Sequence, residues 1–138
     1  MDVISRIESS VESIREKQYP YNYGVLKYPD VYSRIKGNCG DTMEIFLIFE
    51  DNVVKDASYK SDGCIFSNLC GSIAAGIAVG KQLEDLPKIS GELILRTIAN
   101  YPVEEEHCAF LAAETLRSAY RKHKKILEIK KKHQKNKS

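Results

Sequence analysis

The stretch from Met43 to Lys60 constrains the fold more tightly than any other part of the chain. Met43, Ile45, Leu47 and Phe49 alternate with Glu44, Phe46, Ile48 and Glu50, the period of two that gives a strand one wholly apolar face. Asp51-Asn52 follows, a pair that tolerates turn backbone, and Val53 to Lys60 reads as the return strand. Val31 to Lys36 is a shorter strand ahead of both. Short connections make an antiparallel meander the simplest topology. An apolar sheet face needs a cover, so the expected class is α+β, a three-stranded antiparallel sheet packed against helices.

The rest of the chain supplies that cover. Val3, Ile4, Ile7, Val11 and Ile14 recur at helical spacing, and this first helix ends before Tyr19-Pro20 because proline disfavours helical backbone in the residue before it. Residues 19–31 read as an ordered loop. From Ser67 to Val79 small residues dominate around Ile73, Ile77 and Val79, which suits a helix lying close on the sheet despite the propensity cost of its glycines. Ser90 to Tyr101 reads as a further helix broken by Pro102. Glu104-Glu105-Glu106 opens the last helix, with Phe110, Leu111, Ala112, Leu116 and Ala119 on its apolar side.

At 138 residues the chain is expected to form one domain, residues 1–121, with a basic helical tail from 122 to 138. Arg117 to Ser138 holds ten Lys/Arg and one acid, leaving the tail near +9 and the body near −7. The tail reads as a solvated, fraying helix end, with His123 and His133 exposed in it. No aromatic residue interleaves its lysines beyond Tyr120, so nucleic acid is not an expected partner. No apolar run is long enough to span a membrane, and the first residues lack the apolar core of an export signal. The expected location is cytoplasmic, where four cysteines stay reduced and serve metal or sulfur chemistry rather than a disulfide framework.

Three of those cysteines sit in chemically marked surroundings. Cys39 lies in Gly37-Asn38-Cys39-Gly40-Asp41, Cys64 in Ser61-Asp62-Gly63-Cys64, and Cys108 in His107-Cys108-Ala109, with 24 and then 43 residues between them. That spacing is too wide for a zinc finger, but thiolate, carboxylate and imidazole are the side chains that bind zinc or cluster iron. The meander itself brings Cys39, Asp41 and Cys64 together, because the first-to-second loop and the end of the third strand share one sheet edge. Glycines beside Cys39 let the backbone wrap close to an ion. Asp41 alone reads equally as a ligand or a turn residue. Cys64 stands where a strand hands over to a helix, with free N–H groups to favour its anion. Cys108 is in the first turn of the last helix, where the macrodipole lowers a thiol pKa while the adjacent acids oppose it. Cys70, inside the small-residue helix, reads as core packing.

The Cys-Gly-Asp stretch, the Gly-Cys before a small-residue helix and the His-Cys opening the last helix resemble the IscU / NifU N-terminal scaffold family, over about Val31 to Tyr120. The resemblance implies a scaffold, not an enzyme, that assembles a [2Fe-2S] cluster and passes it to apo iron-sulfur proteins. It implies Cys39, Asp41, Cys64 and Cys108 as ligands, with His107 as a further candidate for zinc, iron or cluster. It also implies Cys108 as acceptor of sulfur from a cysteine desulfurase, and Zn²⁺ or Fe²⁺ in the cluster-free form. Oligomeric state stays open between monomer and homodimer. Three departures stand out. The family's Leu-Pro-Pro-Val-Lys segment, bound by a dedicated Hsp70-type chaperone, is replaced by the stretch Asn100-Tyr101-Pro102-Val103-Glu104-Glu105-Glu106, so chaperone-assisted release by that route is not expected. The family's lysine two residues before the histidine is here Glu105, a charge reversal, and the Asn-Pro-Arg-Asn element after the first helix is absent.

Three other readings compete. A zinc-containing sulfurtransferase of the SufU branch would pass persulfide sulfur through a zinc-bound cysteine, but that branch carries an insertion between its second and third cysteines for which this chain has no room. A regulator of the desulfurase would not need all three cysteines. A Cys-His nucleophile built from Cys108 and His107 leaves Cys39 and Cys64 unexplained, and adjacent residues rarely face each other as such a pair must.

Overall fold

The computed structural model describes residues 22–136, so the expected first helix over Val3–Ile14 lies outside the described residues. Three strands, β1 (Val31–Lys36), β2 (Thr42–Glu50) and β3 (Val53–Ser61), form an antiparallel sheet in the order β1-β2-β3. Asp51 and Asn52 both take left-handed backbone, with φ of 53° and 62°. That is the two-residue hairpin turn whose twist matches the strands it joins. β2 is the central strand, and its Met43, Ile45 and Leu47 have no exposed surface. The period-two reading of this segment is what the sheet displays.

Helix α1 (Ile65–Ala78) lies on the sheet and on the last helix, α3 (His107–Asn136), and the short helix α2 (Gly91–Arg96) packs on α3 and α1. The small residues of α1 let it approach closely. A Cβ added at Gly71 would stand 2.6 Å from the Tyr59 ring and 2.8 Å from the Met43 sulfur, far inside van der Waals contact. Ile73, Ala74, Ile77 and Ala78 of α1 then fill the core with Leu111, Ala112, Leu116 and Ala119 of α3.

Four details differ from the sequence reading. The segment Leu83–Lys88 forms a 3₁₀ turn that buries Leu83 and Leu86. Helix α2, expected to reach Tyr101, stops at Arg96. The Thr97 hydroxyl donates to the Ile94 carbonyl (2.8 Å), its N–H and that of Ile98 bond three residues back, and Asn100 turns left-handed at φ 58°. The triple-acid run does not open the last helix; Val103–Glu105 is a separate 3₁₀ turn and α3 starts at His107. The tail from Lys122 continues α3 without a break through Asn136, and His123 is not solvated. It is 6% exposed, its ring stacked on Phe49 at 4.1 Å and 8°, because one side of the helix still faces the sheet edge there. His133 is exposed. Among the described residues, no helix is long and apolar enough to cross a membrane.

Candidate metal centre

The β1–β2 loop is closed by the Gly37 N–H on the Asp41 carbonyl (2.8 Å) and the Gly40 N–H on the Gly37 carbonyl (3.0 Å). Gly40 has φ 92°, a backbone that favours glycine. The loop is fastened to the end of β3 by the Thr42 N–H, which donates to the Asp62 carboxylate at 2.7 Å. Cys64 is the residue just before α1. At Gly63, a Cβ would stand 2.6 Å from the Asp41 carboxyl and 2.8 Å from the Ser67 hydroxyl, so glycine is what allows loop and helix to meet here. Cys108 is the second residue of α3.

These segments bring every candidate ligand into one region. Ligand atoms of Asp41, Cys64 and Cys108 all lie within 4.8 Å of one another, as do those of Cys39, Asp41 and His107, and those of Glu105, His107 and Cys108. Asp41 links the first two groups and His107 the last two. Cys39 and Cys64 are exposed while Cys108 is buried, so the centre has a solvent side and a floor. Cys70 is buried and belongs to none of these groups, its sulfur 3.4 Å from the Tyr101 hydroxyl.

Two residues of the centre escaped the sequence reading as participants. Ser67, fully buried in the first turn of α1, has its hydroxyl 2.7 Å from the Asp41 carboxylate and 3.3 Å from the Cys108 sulfur. A serine among small helix residues carries no signal of such a task; the helical distance of three residues from Cys64 was the available clue. Glu105 places its Oε2 3.9 Å from the sulfurs of both Cys64 and Cys108, and 3.9 Å from His107 Nε2. The sequence marked it as a charge reversal beside the site, and the fold brings it into the centre.

Two electrostatic expectations are corrected. The Cys64 sulfur takes no capping bond from the start of α1, since sulfur is a weak acceptor; it faces Ser67 Oγ and Glu105 instead, each at 3.9 Å. The Cys108 thiol is not lowered by its place at a helix start. Burial pushes it up to about 11, Ser67 opposes that shift, and Cys64 and Glu105 add to it.

The family model described as NifU-like N terminal domain matches residues 10–130. The chain belongs to that family. Among relatives of this NifU-like N-terminal domain is the protein named iron-sulfur cluster assembly scaffold protein IscU 1 of Archaeoglobus fulgidus, 34% identical over 82% of this chain and 77% of the relative. The scaffold protein IscU of Azotobacter vinelandii is 34% identical over 78% of this chain and 89% of its own. The fold is that of a NifU-like N-terminal protein from Brucella abortus, with TM-score 0.60 at 16% identity over 90% of this chain and 99% of that one. It is likewise that of a protein from Fervidobacterium islandicum described as a putative iron-sulfur cluster assembly scaffold for the SUF system, with TM-score 0.57 at 15% identity over 80% of this chain and 93% of that one.

Proposed function

We propose that this protein is a scaffold on which an iron-sulfur cluster is built and from which it is handed on. The observation that carries the reading is the convergence of Cys39, Asp41, Cys64 and Cys108 from three separate segments, with His107 and Glu105 beside them. The names of the relatives point the same way. Three thiolates and a carboxylate suit cargo rather than a permanent centre, since an oxygen ligand holds cluster iron less firmly than sulfur. The cluster of this reading is [2Fe-2S], held by Cys39, Asp41, Cys64 and Cys108.

Sulfur acceptance at Cys108 belongs to the same reading. Its thiolate attacks the outer sulfur of a desulfurase persulfide, a new S–S bond forms, and the desulfurase thiolate leaves. With its thiol pushed up to about 11 and fully buried, Cys108 is a poor nucleophile in the metal-free protein. A divalent ion at the centre would convert it to thiolate, because metals bind the deprotonated form. Delivery is therefore expected to depend on bound metal and on movement of the Val103–Glu105 turn, whose Glu105 carboxylate stands 3.9 Å from the sulfur.

The test is anaerobic incubation with Fe²⁺, cysteine and a cysteine desulfurase, followed by absorption spectroscopy and counting of iron, sulfide and zinc. Equal iron and sulfide with a cluster chromophore, transferable to an apo-ferredoxin, is the expected result. Tightly held zinc with persulfide on the protein and no chromophore would replace the scaffold reading by the zinc sulfurtransferase one.

A further inference from the structure

Glu105 stands in a position the ligand set above leaves out. Its Oε2 is 3.9 Å from Cys108 Sγ, 3.9 Å from His107 Nε2 and 3.9 Å from Cys64 Sγ. A tetrahedral ion with bonds of about 2.0–2.3 Å sets its ligand atoms about 3.3–3.8 Å apart, so the Glu105 oxygen has to approach each partner by only about 0.1–0.6 Å, and the His107 and Cys108 ligand atoms lie within 4.8 Å of each other. The backbone that carries this side chain is also held in place. The Glu105 N–H donates to the Pro102 carbonyl at 3.0 Å, and the Tyr101 hydroxyl donates to the Glu105 carbonyl at 2.6 Å. Its neighbour Glu104 is exposed, and Glu105 is the one acid of the run that is grouped with His107 and Cys108. A role limited to balancing the helix dipole would be met by any of the three acids and does not account for this convergence.

We propose that Glu105 is a metal ligand which, with His107 and Cys108, forms an oxygen–nitrogen–sulfur seat for a single divalent ion of borderline softness, Fe²⁺ or Zn²⁺. The inference rests on reading the centre as one that handles metal, and it adds a carboxylate to that centre. His107 and Glu105 are part-exposed and Cys108 is buried, so an ion arriving from solvent meets the oxygen and nitrogen first and ends on the sulfur. The seat shares Cys108 with the Asp41–Cys64–Cys108 group. An ion taken up at Glu105 therefore already touches the ligand set that holds a cluster.

The probe is Co²⁺, titrated anaerobically into the metal-free protein and read by its ligand-field bands and its thiolate-to-cobalt charge-transfer band. Loss of an outer partner of a metal ligand costs about 10–100-fold in affinity, and loss of a ligand itself is expected to cost at least as much. Glu105→Gln, which keeps the shape of the side chain, should weaken Co²⁺ binding by about tenfold or more and change the ligand-field envelope. Glu104→Gln removes the same charge one residue away and should change affinity by less than about twofold. Circular dichroism confirms that both variants fold. Unchanged binding in Glu105→Gln, or equal losses in the two variants, overturns the proposal. Cluster assembly by the unsubstituted protein is scored separately, so a failure there removes the scaffold reading and leaves the cobalt result to stand or fall by itself.

Discussion

Cys108 and Cys70 have no exposed surface, and burial pushes their thiols up to about 11 and about 12 from an ordinary 9.0. Both values lie above those of the unfolded chain, so the folded state holds these protons more tightly. The resulting stability is fully present below pH 9 and is lost as pH rises through 11 and 12. Urea midpoints of the metal-free protein should be flat to about pH 9 and then fall, and Cys70→Ala should fall less steeply over the same range. Identical slopes would show that Cys70 titrates in the native state as it does in the unfolded one. The same residue separates packing from ligation. Cys39→Ala, Cys64→Ala and Cys108→Ala are each expected to abolish stable cluster binding, while Cys70→Ala leaves the chromophore nearly intact because its sulfur sits against Tyr101 and belongs to none of the ligand groups. Bleaching by Cys70→Ala alone, with folding preserved, would break the ligand assignment.

Elements built on strict local rules were legible, and those built on competition were not. The β2–β3 hairpin follows from its alternation and from Asp51-Asn52, and the meander alone brought Cys39, Asp41 and Cys64 to one edge. The buried 3₁₀ turn Leu83–Lys88 holds only six residues and includes Pro87, which leaves no periodicity to read. α2 is shorter than its apolar pattern because the Thr97 hydroxyl competes for a helix carbonyl. Ser67 and Glu105 hid behind ordinary uses of their residue types, small-residue packing and dipole balance. His123 hid among lysines, since a charged run conceals one buried position. The closeness of α1 to the sheet can be tested. Alanine is favoured over glycine by about 1 kcal/mol in a helix interior, but overpacking a filled core costs about 1–3 kcal/mol. With a Cβ at Gly71 only 2.6 Å from the Tyr59 ring, the clash should win. Gly71→Ala is expected to lower unfolding free energy in urea, and a stabilised variant would mean that α1 can slide outward at little cost.

At the scale of the whole molecule, α3 ties the structure together. It packs against β1, β2, α1, α2 and the Leu83–Lys88 turn, and it carries Cys108 at its start and the basic tail at its end. The tail is divided energetically. Its first turns are bound to the body: Lys122 Nζ donates to the Tyr32 carbonyl (3.3 Å), Lys124 pairs with Glu84 (2.8 Å), His123 stacks on Phe49 and Leu127 packs partly buried against the core. Farther on, Ile129 and the lysines 130–132 are exposed. Two truncations should therefore differ. Deleting residues 128–138 removes mostly solvated charge and is expected to change stability by less than about 0.5 kcal/mol. Deleting residues 122–138 also removes a ring stack worth about 0.5–1.5 kcal/mol and a leucine whose full burial is worth about 1.5–3 kcal/mol. A loss of about 2–3 kcal/mol is the expected outcome, measured by urea unfolding. Both truncated proteins should still assemble a cluster, because every candidate ligand precedes Ala109. Equal stability of the two would mean that His123 and Leu127 add nothing. Loss of the cluster in the shorter deletion, with folding preserved, would tie the lysine-rich end to the metal centre.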